Sequence, residues 1–237
     1  MNKTEQNRHF DGNSLKFLII AAHPDDELLG CGAYAFQLVS TGWKGKSLIL
    51  GEGMRSRGEN SNKALDQLKE DGIRANQCIG ITDISFHDLP DNQFDSIPLL
   101  KIVHIIEKTI IDFKPDIIFT HYGHDLNVDH RLTFQAVMTV CRPQPNMNIP
   151  DIYSFYIPSS TDWVDGNVLA PFCPNVYVDI ATVIEKKIEA LAHYTSEMRE
   201  YPHSRSLESI ANIAKYWGNR VGLEFAEPLI LVRKVIK

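Results

Sequence analysis

Short apolar runs alternate with amphipathic stretches through the first 141 residues, and this alternation limits the fold more than any other feature of the chain. Residues 16–22 and 116–120 are apolar on both faces, as strands inside a parallel sheet must be. Shorter apolar runs at 47–50 and 84–86 read as further strands. Residues 27–40, 62–78, 98–113 and 129–141 carry helical periodicity; in the first of these Leu29, Gly32, Phe36 and Val39 share a face. Strands alternating with helices predict an α/β fold, a Rossmann-like three-layer α/β/α domain with a mainly parallel sheet and right-handed crossovers. Beyond a proline- and asparagine-rich loop at 143–150 the pattern is less regular. Strands are expected at 152–157, 175–178 and 228–235, and helices at 182–198 and 206–221. No repeat and no linker divides the chain, so residues 15–237 read as one domain behind a polar segment, 1–14.

Chemistry concentrates where two of the strands end. The first runs into Ala22-His23-Pro24-Asp25-Asp26-Glu27. The run at 116–120 leads into His121, His124, Asp125, Asn127, Asp129 and His130. In open α/β sheets, ligand sites gather at the carboxyl ends of strands. Imidazole and carboxylate are ligands for borderline or hard metals. Two consecutive aspartates point in different directions, so one can bind metal while the other handles protons. Either could instead cap the following helix. His121 and His124, taken singly, read equally as ligands or as hydrogen-bonded loop histidines, whereas His130 reads as a ligand. Two histidines and one aspartate would leave a position open for water and substrate, as catalytic zinc sites require.

Composition excludes other classes. A hydrophobic content of 43% and charged content of 23% suit a globular chain, and a net charge of −6 argues against nucleic acid or an anionic membrane as partner. No G-x-G-x-x-G opens the first helix and no P-loop is present. Cys31, Cys78, Cys141 and Cys173 are dispersed and read as reduced thiols. Residues 1–14 show no signal-peptide core, and no run is long enough to span a bilayer. The expectation is a cytoplasmic enzyme acting on a small soluble substrate.

The Ala-His-Pro-Asp-Asp-Glu motif, joined to Asp129-His130-Arg131, resembles the LmbE-like (PIG-L-type) N-acetylglucosaminyl deacetylases. Gly51-Glu52-Gly53 with Ser56-Arg57-Gly58, Cys78-Ile79-Gly80-Ile81 with Leu89-Pro90-Asp91, His193 with Ser196, and Phe225-Ala226-Glu227 are similar to further segments of that family. The resemblance implies metal ligation by His23, Asp26 and His130, with Asp25 as general base. Zinc is the expected metal, though ferrous iron suits the same ligand set. It implies hydrolysis of the acetyl group from an N-acetylated amino sugar, a glycoside or a nucleotide conjugate, and a homo-oligomer. An amidase for a non-sugar substrate and a non-catalytic sugar-binding protein are the alternatives.

Asp129 suits a role orienting a ring or a substrate, or capping the helix that follows it. Many family members carry a histidine at the position of Asn127, where it helps stabilise an oxyanion. Asn127 is expected to fill that role in part, or His124 or His121 to swing in. Arg57, by its family position, and Arg55 beside it are candidates for binding the substrate, and Trp163 for a platform under a sugar ring. Tyr194, Tyr201 and His203 are further candidates for the cleft.

Overall fold

The computed structural model describes residues 14–55, 61–145 and 150–236. Strand β1 (Lys16–Ala21) leads to helix α1 (Asp26–Ser40), β2 (Lys44–Gly51), α2 (Asn62–Cys78) and β3 (Asp83–Leu89). A 3-10 turn (Phe94–Ser96) precedes α3 (Leu99–Phe113), β4 (Ile117–Thr120) and α4 (Val128–Val140). Then come β5 (Asp151–Phe155), β6 (Val176–Asp179), α5 (Ile184–Leu191), α6 (Leu207–Asn219) and β7 (Ala226–Arg233).

The seven strands form one sheet in the order β3-β2-β1-β4-β5-β7-β6. The first five pair in parallel, while β7 runs antiparallel to both β5 and β6. This is the α/β fold expected from the alternation, with antiparallel strands confined to the less regular end.

Side-chain alternation along β1 builds both cores. Phe17 and Ile19 face one layer, with Leu28, Leu29 and Leu38 of α1, Leu68 of α2 and Leu191 of α5. Leu18 and Ile20 face the other, with Ile102 and Ile106 of α3 and Val137 of α4. Helix α3 shows why the sequence is amphipathic: Ile102, Val103 and Ile106 are buried, while Leu100 and Ile111 point to solvent.

One expected helix is shorter than its periodicity suggested. Residues 182–198 form α5 only to Leu191. The chain then continues in tight turns, with His193 N–H on Ala190 and Tyr194 N–H on Leu191, so that Tyr194 drops into the core. Helix α1 is also broken at Cys31, whose φ of −147° and ψ of 22° are not helical. The break frees backbone groups inside the protein. Glu227 of β7 accepts the N–H groups of Ala33 and Tyr34 at 2.9 and 2.8 Å. Lys187 of α5 bonds Leu29 carbonyl at 2.8 Å and Glu227 at 2.6 Å. A buried ion pair therefore splints the break, satisfying two donors and an acceptor of the interrupted helix.

Candidate metal and active site

β1 and β4 are neighbours, paired from Phe17↔Ile117 to Ile19↔Phe119. Their following helices lie on opposite faces of the sheet, α1 on one and α4 on the other. The chain directions diverge here, which is the crevice where α/β sheets hold ligands. Both chemical clusters of the sequence meet in it.

His23, Asp26 and His130 are all buried, and their ligand atoms lie within 4.8 Å of one another. Asp26 Oδ2 is 3.3 Å from His23 Nδ1 and 3.2 Å from His130 Nε2. Asp26 Oδ1 and His130 Nε2 are buried without a hydrogen-bond partner among the described residues. Orphaned buried groups are costly, and these two are of the type that coordinates cations. The far nitrogens of both rings are spoken for. His23 Nε2 meets Asp129 Oδ2 at 2.9 Å, and His130 Nδ1 lies 3.2 Å from Asp125 Oδ1. Each carboxylate is itself held: Asp129 by the N–H groups of Asn92 and Phe94, Asp125 by Ser160 and Thr161. A ring that donates to a carboxylate on one side presents a lone pair on the other, the arrangement metal-binding histidines use. The residues therefore fit a divalent metal. Asp91 Oδ1, 3.4 Å away, joins Asp129 at His23 Nε2, so these three residues form a second group of potential ligand atoms.

Charge supports the same conclusion. Burial pulls both rings toward the neutral form, yet the hydrogen bonds and charges of Asp129 and Asp26 raise His23 to about 10. Asp26 and Asp125 likewise raise His130 to about 9. Burial opposes the charged form of Asp26, but His130 and His23 hold it well below the usual carboxylate range. The cluster calls for positive charge, which protons or a cation can supply. His121 behaves differently: its Nε2 accepts the Ala22 N–H at 2.8 Å, and burial keeps it neutral. It stacks on His130 with ring centroids 3.9 Å apart and so fixes that ring.

Asp25 occupies the N-cap position of α1, but its side chain caps nothing. Its Oδ2 accepts from Arg205 Nη1 at 3.0 Å, and its Oδ1 is buried with no hydrogen-bond partner among the described residues. Burial pushes this carboxyl well above its ordinary range, against the pull of Arg205. Arg205 also donates to Ser159 Oγ at 3.0 Å. Glu27, the last residue of the motif, faces away from the cluster. It accepts the Asp25 N–H and is bonded by Asn76 and Tyr194, anchoring the turn; burial raises it to about 7.

A cavity of about 190 Å³ opens on this cluster, and His23, Asp25, Asn127, Trp163, His203 and Arg205 are among its walls. Asn127 rather than Asp129 caps α4, accepting the Asp129 N–H at 2.8 Å, and its amide donates to Asn92. Asp129 is thus free to hold His23. His124 is exposed against Tyr122 and does not line the cavity. Arg55 is half exposed beside Glu52, in a different cavity. Arg57 lies outside the described residues. Trp163 is 59% exposed at the rim, its ring against His203. Tyr194 is buried under the motif rather than in the cleft, and Tyr201 lines a neighbouring cavity. Arg205 and Ser159 carry no local signal. His-Ser-Arg-Ser reads as the start of a helix, and the contact to Asp25 spans 180 residues.

The sequence model for the PIG-L family, described as GlcNAc-PI de-N-acetylase, matches residues 18–141. The chain belongs to this family. The PIG-L match takes in His23, Asp25, Asp26 and His130 and ends after α4. Diacetylchitobiose deacetylase of Thermococcus kodakarensis is 29% identical over 229 residues, 92% of this chain and 83% of that one. Among solved structures, an N,N'-diacetylchitobiose deacetylase from Pyrococcus horikoshii superposes with a TM-score of 0.74 at 17% identity, covering 97% of this chain and 92% of that one. GalB, a 4-carboxy-2-hydroxymuconate hydratase of Pseudomonas putida, superposes equally well, at 0.74 and 17% identity over 94% of this chain and 98% of that one. Structural likeness at such identities establishes the fold alone. The deacetylase assignment of this PIG-L chain rests on the family match and the sequence relatives.

Proposed function

We propose that this chain removes the acetyl group from an N-acetylated amino sugar by hydrolysis, using a divalent metal held by His23, Asp26 and His130. The observation that carries the reading is the pair of unsatisfied buried atoms, Asp26 Oδ1 and His130 Nε2, beside the unpaired Oδ1 of Asp25. When bound, a divalent metal supplies Lewis acidity toward the acetamide carbonyl and lowers the pKa of water at the site. Zinc is the metal we favour, with ferrous iron compatible.

The protein's own groups handle the protons. Asp25 is in reach of the cavity with one oxygen free, and burial makes it a stronger base than a solvated carboxylate. It takes the proton as water adds to the carbonyl carbon, then delivers it to the nitrogen as the C–N bond breaks. Acetate and the free amine are the products. Arg205 orients Asp25 and places a fixed positive charge in the cavity, which the neutral Asn127 cannot provide. Asp129 and Asp125 hold the two ligand rings in the tautomer that leaves a lone pair inward. Trp163 at the rim offers a face for the sugar ring. The sugar itself is favoured by the relatives named for diacetylchitobiose.

The test pairs metal analysis with acetate release from N-acetyl amino sugars and from N-acetyl amino acids. Asp25→Asn is expected to keep its metal and lose about 10²- to 10⁴-fold in rate, the usual worth of a positioned base. Release from amino acids but not sugars would move the substrate; an undiminished rate in the variant would remove Asp25 from the mechanism.

A further inference from the structure

His203 and Arg205 both line the metal pocket, and Ser204 between them does not. Arg205 is engaged there, holding Asp25 Oδ2 and Ser159 Oγ at 3.0 Å each. His203 is engaged through one nitrogen only. Its Nδ1 accepts the backbone N–H of Arg205 at 3.0 Å. A backbone N–H can only donate, so Nδ1 bears a lone pair and the proton of the neutral ring sits on Nε2. Burial and the charges of Arg199 and Arg205 hold this ring below its ordinary pKa, with Asp162 opposing, so the neutral form prevails at neutral pH. Nε2–H has no hydrogen-bond partner among the described residues. The ring is partly exposed, so water can serve that donor until a ligand replaces it.

Trp163 stands beside this donor, with ring centroids 6.0 Å apart and planes at 72°. Its exposure leaves indole surface open at the rim of the same pocket. An open aromatic surface next to a fixed, uncharged N–H matches a ring that has apolar C–H groups on its face and hydroxyl oxygens on its edge. A carboxylate in place of the hydroxyl would meet Asp91 and Glu197, both buried in the same walls, and a donor that carries no charge.

Resting on the deacetylase reading, we propose that His203 determines specificity for a sugar: its Nε2–H donates to a ring hydroxyl vicinal to the acetamide, while Trp163 covers the apolar face of that ring. The acetamide at the metal fixes the carbon that bears it, and the hydroxyls on the two neighbouring carbons, C1 and C3, lie nearest to it in a cavity of about 190 Å³. An N-acetyl amino acid has no such hydroxyl and leaves the donor unpaired, which disfavours it.

Two substitutions separate the nitrogens of the ring. In His203→Asn the amide oxygen takes the place of Nδ1 and keeps the Arg205 N–H in an Asx turn, whereas nothing replaces Nε2–H. His203→Gln puts an amide N–H where Nε2–H was. Affinity is read by titration calorimetry in metal-loaded Asp25→Asn protein, where turnover is slow, for N-acetylglucosamine and its 3-deoxy and 1,5-anhydro analogues. One analogue is expected to bind about 2- to 10-fold more weakly than the parent, the worth of one neutral hydrogen bond. Adding His203→Asn should make that analogue and the parent bind alike, at the weaker level, and His203→Gln should restore the difference. A merely structural role would not couple one side chain to one hydroxyl. Equal binding of all three sugars by the Asp25→Asn protein, or a difference that survives His203→Asn, would overturn the contact. Acetate release by wild-type protein is measured alongside. Coupling without acetate release would overturn the deacetylase reading and leave the contact supported. Acetate release without coupling would overturn the contact alone, and the absence of both binding and release would overturn both.

Discussion

At Asp25 the backbone takes a φ of 99°, a region that side-chain-bearing residues rarely adopt. Such a conformation costs on the order of 1–3 kcal/mol and persists only where its surroundings enforce it. Here Glu27 holds the Asp25 N–H, while the Asp25 carbonyl accepts from Leu28 and Leu29. The twist turns two adjacent aspartates apart, Asp26 toward the histidines and Asp25 toward Arg205. The proposed division of labour between them rests, in the sequence, on residue types alone: a histidine and paired carboxylates after a strand, which could also have capped the helix. The partners that make it work were not legible. Arg205, Ser159 and Asp125 are tied to the motif only by folding. The proton balance of the cluster leads to a prediction. His23 and His130, raised to about 10 and about 9 without metal, carry protons at neutral pH that a metal must displace. Metal uptake by stripped protein should release protons, and affinity should rise with pH by about tenfold per unit for each proton displaced, levelling off once pH passes the raised values. Titration calorimetry in buffers of different ionisation enthalpy measures the release; a pH-independent affinity would contradict it.

Among the elements, α1 is the one on which the site depends. Its first turn carries Asp26, and its break at Cys31 lets Gly30 pass against Phe155, where an added Cβ would lie 2.4 Å from the ring. Gly30→Ala should therefore cost about 1–3 kcal/mol through overpacking, seen as a lower midpoint in urea unfolding. Glu227→Leu removes more. It strands Lys187 as a buried charge and leaves the Ala33 and Tyr34 N–H groups unpaired, an expected loss of about 3–5 kcal/mol. A loss under 1 kcal/mol would show that the splint does little. Periodicity located this helix but not its break, since Cys31 and Gly30 look like ordinary small residues on a helical face. For α5 periodicity overshot, because apolar residues beyond Leu191 continue the rhythm while serving turns. Strands buried on both faces, β1 and β4, were the most readable elements, for only the middle of a parallel sheet needs such runs.

Across the molecule, the alternation in the first 141 residues was enough to give four of the five parallel strands, β1 to β4. The order of the remaining strands was not readable, because β7 reverses direction and inserts between β5 and β6. That insertion ties the C-terminal chain to the rest, as does Arg205 on Asp25. A chain ended at residue 221 is expected to lack a cooperative unfolding transition and to bind no metal tightly, which circular dichroism and metal analysis would show. The same wiring has a temporal side. During synthesis β1 and its ligands emerge first, and Asp129, 106 residues later, must follow before the ring of His23 has its partner. Arg205 emerges 75 residues after His130, roughly 4–15 s later at ordinary translation speeds. A newborn chain thus passes through an interval in which the three candidate ligands have been made but Asp25, the proposed base, has no cation to orient it. With the last strand still to come, neither tight metal binding nor an oriented Asp25 is expected in that interval, so the C-terminal segment sets the moment at which both arrive.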